Sequence, residues 1–82
     1  MRYHVFIPEA MKAQLRALPE SVRQEIGYKL FLLQEGLSGD VKKLKGSKKQ
    51  YRLRVGDYRV LFELESRAIT VYDFGHRKDI YK

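Results

Sequence analysis

Residues 50–65, QYRLRVGDYRVLFELE, decide the fold. Both halves alternate in character residue by residue, and Gly56-Asp57 between them matches a two-residue hairpin with glycine at the first turn position. Closing that turn sets Val55 opposite Tyr58, Arg54 opposite Arg59, Leu53 opposite Val60, Arg52 opposite Leu61 and Tyr51 opposite Phe62. One face of the ribbon is then apolar: Tyr51, Leu53, Val55, Tyr58, Val60, Phe62 and Leu64 form a candidate core, each side chain contributing roughly 1.5–3 kcal/mol if fully buried. The segment AITVYDFG follows a second tight turn at Ser66-Arg67, and carrying the same register across it predicts Phe74 beside Arg59.

Upstream, Arg2 to Ile7 is a short β-branched and aromatic stretch that Pro8 stops. Pro8 to Leu18 reads as a short amphipathic helix, and Pro19 begins a second helix with apolar residues at Val22, Ile26, Leu30, Leu33 and Leu37. Gly36 and Gly39 suit its end, and residues 38–49 are polar and basic enough to read as a loop. The expected class is α+β: a strand, a two-helix hairpin, an antiparallel sheet of three to four strands and a short C-terminal helix or tail. With 82 residues the chain predicts one domain over 1–82.

Charge locates the candidate site. Residues 42–59 hold eight lysines or arginines against one aspartate, a surplus of +7 that equals the net charge of the whole chain. Such a footprint suits a polyanion, most simply nucleic acid, because each neutralised phosphate releases a counterion. The plainer alternative is a solvated basic loop. Without cysteine and with only His4 and His76 as histidines, the chain predicts neither a zinc site nor a thiol nucleophile, and no cofactor. The N-terminus lacks the long apolar run of a secretory signal, which predicts a cytoplasmic protein without membrane attachment.

The face of the hairpin away from the core gathers Arg52, Arg54 and Arg59. Arg54 directly faces Arg59, and like charges in that relation destabilise a sheet, which points to a bound anion as the missing partner. Arginine suits phosphate, since its planar donor fork clamps two oxygens. The tail GHRKDIY brings Arg77, His76 and Tyr81 toward the same region.

The run YRLRVGDYRVLFELE followed by VYDFGHRKDIY resembles the RelE branch of the RelE/ParE toxin superfamily over essentially the whole chain. The resemblance implies a strand, two helices and an antiparallel sheet. It also implies a toxin of a type II toxin–antitoxin system that enters the ribosomal A site and cleaves messenger RNA, without metal, by attack of the RNA's own 2'-hydroxyl on the adjacent phosphate. By that correspondence Arg52, Arg54, Arg59, Arg77 and Tyr81 are the catalytic set, the arginines stabilising charge on the pentavalent phosphate and Tyr81 stacking on a base or orienting the ribose. Lys42, Lys43, Lys45, Lys48 and Lys49 are the candidate RNA- and ribosome-binding residues.

The best-known branch carries lysines where this chain has Arg52 and Arg54, and a longer turn. Arginine stays charged and is a poor base, so either His76, whose side-chain type titrates near neutrality, moves the proton or the site works by electrostatics alone. His76 is therefore a candidate acid or base. The competing class is the ParE-like branch, which shares the fold and inhibits DNA gyrase without a catalytic constellation. ParE-like chains generally lack the strand arginines and the GHR-x-x-x-Y ending. The resemblance further implies a cognate antitoxin, RelB-like or other, with an extended or helical tail that usually covers the basic face; operator DNA is a partner only through that complex. Tyr28, Phe31 and Leu32 lie off the main apolar stripe of the second helix, either packing around the hairpin or open to an antitoxin helix.

Overall fold

A computed structural model describes residues 2–37 and 39–80. The elements are β1 (His4–Phe6), α1 (Glu9–Arg16), α2 (Glu20–Gly36), β2 (Asp40–Lys43), β3 (Gln50–Val55), β4 (Tyr58–Glu65), β5 (Ala68–His76) and α3 (Arg77–Ile80). The five strands form one sheet in the order β1-β5-β4-β3-β2, with β1 parallel to β5 and the other pairs antiparallel. The chain leaves one edge of the sheet after β1, crosses in the α1–α2 hairpin and re-enters at the other edge as β2.

The central hairpin has the register that alternation and the turn dictate, from Val55 opposite Tyr58 to Tyr51 opposite Phe62. Gly56 sits at φ +59, where L side chains are strained, so glycine is what lets the two-residue turn match the strand twist. Its inner face packs on α2. Leu53, Val55, Val60, Phe62, Ile69, Val71 and Phe74 are buried together with Ile26, Leu30 and Leu33 of the helix. Tyr51 stacks on Phe62 with ring centroids 5.7 Å apart. Val22, Leu37, Tyr51 and Leu64 pack at the margin of this cluster, whereas Tyr58 is half-buried at the turn.

Three expectations are corrected. The stretch read as a loop over 38–49 contains a strand, β2, paired with β3 so that Asp40 faces Arg54 and Lys42 faces Arg52. Only Val41 of its four residues packs against the core, so no apolar alternation marked it; the open edge of β3 supplied the pairing. Secondly, Phe74 lies opposite Val60, not beside Arg59. The register slips by one between Leu61, which faces Asp73, and Phe62, which faces Val71, leaving Tyr72 as the extra residue of a bulge. Without it Val71 and Phe74 would point to opposite faces; with it both are buried. Thirdly, the left-handed position ending α2 is taken by Leu37 at φ 57 rather than by a glycine. Left-handed backbone costs a non-glycine residue about 1–2 kcal/mol, and packing of Leu37 against the core offsets it.

No helix among the described residues is long and apolar enough to cross a membrane.

Candidate functional site

The Gly56-Asp57 turn organises two arginines. Arg59 follows it on β4 with its side chain on the outer face; the residue is only 8% exposed. Its Nη1 donates to the carbonyl oxygens of Gly56 at 3.2 Å and Tyr58 at 3.0 Å, which fixes the guanidinium at the turn. Arg77 reaches the same turn from the other direction: its backbone N–H donates to the Asp57 carbonyl at 2.8 Å, and its Nε lies 3.9 Å from Asp57 Oδ1. Arg54 stands directly across from Arg59 and is exposed. Two guanidinium groups are therefore tied to one two-residue turn, and Arg54 lies on the same face as Arg59, directly across from it.

Arg52 lies two residues back along β3, on the same face, beside Leu61 of β4 and Lys42 of β2. Its Nη1 is 3.7 Å from Asp40 Oδ1, and its side chain is 15% exposed. Asp40 thus stands among the arginines as a partial counter-charge, facing Arg54 and pairing with Arg52. That changes the reading of the like-charge pair: the turn carbonyls and Asp40 take up part of the repulsion that sequence alone left to a bound anion. Asp40 and Asp57 were missed as site residues because their roles depend on β2 being a strand and on the tail docking at the turn.

The other candidates are placed differently. Lys42 extends the outer face, whereas Lys43, opposite Tyr51, belongs to the helix-side phase and is exposed. Lys45, Lys48 and Lys49 lie in the connection between β2 and β3 and are exposed; Lys49 is 3.8 Å from Glu65. This connection is held by Ser47, whose Oγ accepts from the N–H groups of Lys49 and Gln50. It stands at the start of β3, and the arginine turn at its end, roughly 17 Å away at about 3.3 Å per residue. The basic stretch therefore forms an elongated strip along one edge of the sheet, longer than one phosphate.

His76 does not join the arginines. It pairs with Tyr58, in phase with Val55 and Val60 on the helix side, and the two rings meet edge-on at 5.4 Å. Its Nδ1 accepts from the N–H of Lys78 at 3.2 Å, inside the short helix that carries Arg77. The bulge explains the miss, since a one-residue slip in β5 moves every later side chain to the other face. Tyr81 lies outside the described residues.

A strip that combines guanidinium groups held at a turn with exposed lysines is suited to a phosphodiester chain: the arginines present planar donors, and the lysines supply attraction along the strand. Residues 5–81 match the family described as the ParE toxin of type II toxin–antitoxin systems, parDE. A 42-residue segment is 45% identical to the toxin RelE3 of Methanocaldococcus jannaschii, spanning 51% of this chain and 48% of that protein, so the match spans about half the length of this relative. The toxin of the RelB–RelE antitoxin–toxin complex from Methanococcus jannaschii superposes with a TM-score of 0.81 at 29% identity, covering 94% of this chain and 95% of the other. The archaeal RelE–RelB complex from Pyrococcus horikoshii gives 0.80 at 26% identity, over 96% and 99%. The sheet order, the turn-docked arginines and these likenesses converge: the chain belongs to the ParE toxin family of type II toxin–antitoxin systems and is a RelE-like member of the RelE/ParE superfamily.

Proposed function

We propose that this toxin is a ribosome-dependent endoribonuclease that cleaves messenger RNA in the A site, and that a cognate antitoxin restrains it. The observation that carries the reading is the docking of Arg59 and Arg77 on one turn, with Arg54 directly across the ribbon from Arg59. In the proposed step the 2'-oxygen of the RNA attacks the adjacent phosphorus, the bond to the 5'-oxygen breaks, and a 2',3'-cyclic phosphate and a 5'-hydroxyl result. Negative charge grows on the non-bridging oxygens, and donors fixed beforehand stabilise it without reorganising. Arg59 and Arg77 fit that role best, with Arg54 as a third donor and Arg52 and Lys42 holding a neighbouring phosphate. Tyr81 keeps the role that the resemblance gives it, stacking on a base or orienting the ribose. The two structural relatives are toxins in complex with RelB, which supports an antitoxin as partner here.

His76 is assigned to positioning, because its ring lies in phase with Tyr58 and its Nδ1 holds the start of the helix bearing Arg77. On that assignment the 2'-proton passes to solvent hydroxide and the departing 5'-oxygen takes a proton from water, so cleavage is expected to rise with pH across pH 6–8. His76→Ala should lower the rate several-fold and leave that slope unchanged. A slope that flattens in the variant, measured as single-turnover rate against pH, would restore His76 as the base.

The lysine connection makes a separate prediction. Replacing Lys45 and Lys48 by glutamine should weaken binding to ribosomes or single-stranded RNA, with little change in the cleavage step. The slope of log affinity against log salt should fall by about 0.7 for each phosphate no longer neutralised. An unchanged salt slope would remove these lysines from the interface.

The direct test is primer extension on a defined messenger in a cell-free translation system, with ribosome-free RNA alongside. Cuts at A-site codons that need the ribosome support the reading. Intact messenger together with inhibited gyrase supercoiling would move the chain to the ParE-like mode.

A further inference from the structure

Two aspartates stand on arginines of the candidate set. Asp57 lies beside Arg77 at the turn, and Asp40, two residues before the basic stretch begins, lies beside Arg52. The two contacts differ in kind. Asp57 also holds the Arg77 backbone through its own carbonyl, so it docks the tail. Asp40 meets Arg52 through its carboxylate alone among these contacts, and a carboxylate on a guanidinium is what a phosphate would replace.

The pairing of β2 with β3 puts Asp40 directly opposite Arg54 and diagonal to Arg52, with its Oδ1 3.7 Å from Nη1 of Arg52. One carboxylate therefore addresses two guanidinium groups. The exposures of the pair are unequal: the Arg52 side chain is 15% exposed and that of Asp40 is 54% exposed. On its other side Arg52 faces Leu61, which is buried yet lies outside the main core cluster. A guanidinium that far out of water needs an anion beside it. The acids farther along this face are engaged elsewhere, Glu63 with Gln50, Glu65 with Lys49 and Asp73 with the backbone N–H of Phe74. Asp40 supplies the charge, and its exposed carboxylate can turn away into solvent while Arg52 stays in place.

We propose that Asp40 is a specificity-determining residue of the arginine site: its carboxylate occupies Arg52 in the free protein as a stand-in for phosphate, and an incoming phosphodiester must displace it. A loose RNA has to supply that displacement from its own binding, whereas a message already anchored by a larger assembly does not. Asp40 thereby lowers the affinity for RNA as such and keeps the site selective for a strand held in position. That the strand is ribosomal messenger rests on the nuclease reading above; the exchange at Arg52 does not.

The test measures binding of a labelled single-stranded RNA of about 12 nucleotides, 2'-O-methylated so that it cannot react, to the protein without ribosomes. Releasing Arg52 adds one neutralised phosphate, so Asp40→Asn should steepen the slope of log affinity against log salt by about 0.7. The same count predicts affinity about eightfold tighter than the parent near 50 mM salt and about threefold tighter near 200 mM. In an Arg52→Gln background, and in Arg52→Met, which keeps the apolar stem, Asp40→Asn should change affinity by less than about twofold, because the coupling partner is gone. Amide spectra of each variant establish that folded proteins are being compared. Unchanged affinity and slope in Asp40→Asn would overturn the proposal, and so would an equal gain with and without Arg52, which would reduce Asp40 to background charge. If the parent cuts no messenger on the ribosome yet the Asp40 effect needs Arg52, the exchange stands and the nuclease reading falls. Ribosomal cleavage without an Asp40 effect on binding leaves the nuclease reading standing and removes the exchange.

Discussion

Arg77→Ala should lower single-turnover cleavage of A-site messenger by about 100- to 1,000-fold, the loss seen when one preorganised donor to a developing oxyanion is removed. Arg77 is half-exposed and its backbone N–H still bonds Asp57, so the variant keeps its fold and the loss reports on the guanidinium. Arg59 needs a subtler substitution because the residue is buried at 8% exposure. Arg59→Lys keeps the charge and most of the packing but loses the planar fork that bonds two turn carbonyls and still has donors for phosphate. It should fall nearly as far as Arg77→Ala. If Arg59→Lys cleaves normally, net charge is enough and the geometric argument for the turn is wrong. Thermal melts of both variants within a few degrees of the parent confirm that the comparison is between folded proteins.

The largest effect on stability is expected at Phe62. Its side chain is fully buried, stacks on Tyr51 and stands opposite Val71 in the middle of the sheet. Phe62→Ala removes a ring from a site walled by two strands and α2, which cannot close around the space, and should cost about 3–5 kcal/mol. A domain of this size holds only about 4–12 kcal/mol in total at about 0.05–0.15 kcal/mol per residue. The melting temperature should therefore drop by about 12–40 °C, at about 4–8 °C per kcal/mol. Leu64→Ala, at the half-buried margin two residues on, should cost clearly less. Equal losses at the two sites would mean that the core is centred elsewhere.

Much of the fold was legible because it depends on local rules. Gly56-Asp57 sets a turn, the turn sets the register, and the register sorts Leu53, Val60 and Phe62 from Arg52, Arg54 and Arg59. What escaped depends on non-local balance. Asp40–Lys43 becomes a strand because β3 has a free edge beside it, not because its own residues favour one. The bulge left a trace that a stricter count would have caught: Ile69 and Val71 share one phase and Phe74 has the other, which only an inserted residue reconciles. That single slip decided the placement of His76 on the helix side, which is why the proposed reaction does without it as a base. The grouping of Arg54 with Arg59 was readable from pairing, whereas the docking of Arg77 on Asp57 joins distant parts of the chain and needed three dimensions.

The central claim is that fixed guanidinium groups stabilise attack by the RNA's own 2'-oxygen. The most direct measurement places a single 2'-deoxyribose at the cleaved position of a messenger programmed in the ribosomal A site and compares cleavage with the all-ribose message. Loss of cutting at that position alone, with the ribose product ending in a 2',3'-cyclic phosphate, is the predicted result. Cleavage of the deoxy message at an undiminished rate would contradict it, because a different nucleophile would then be at work.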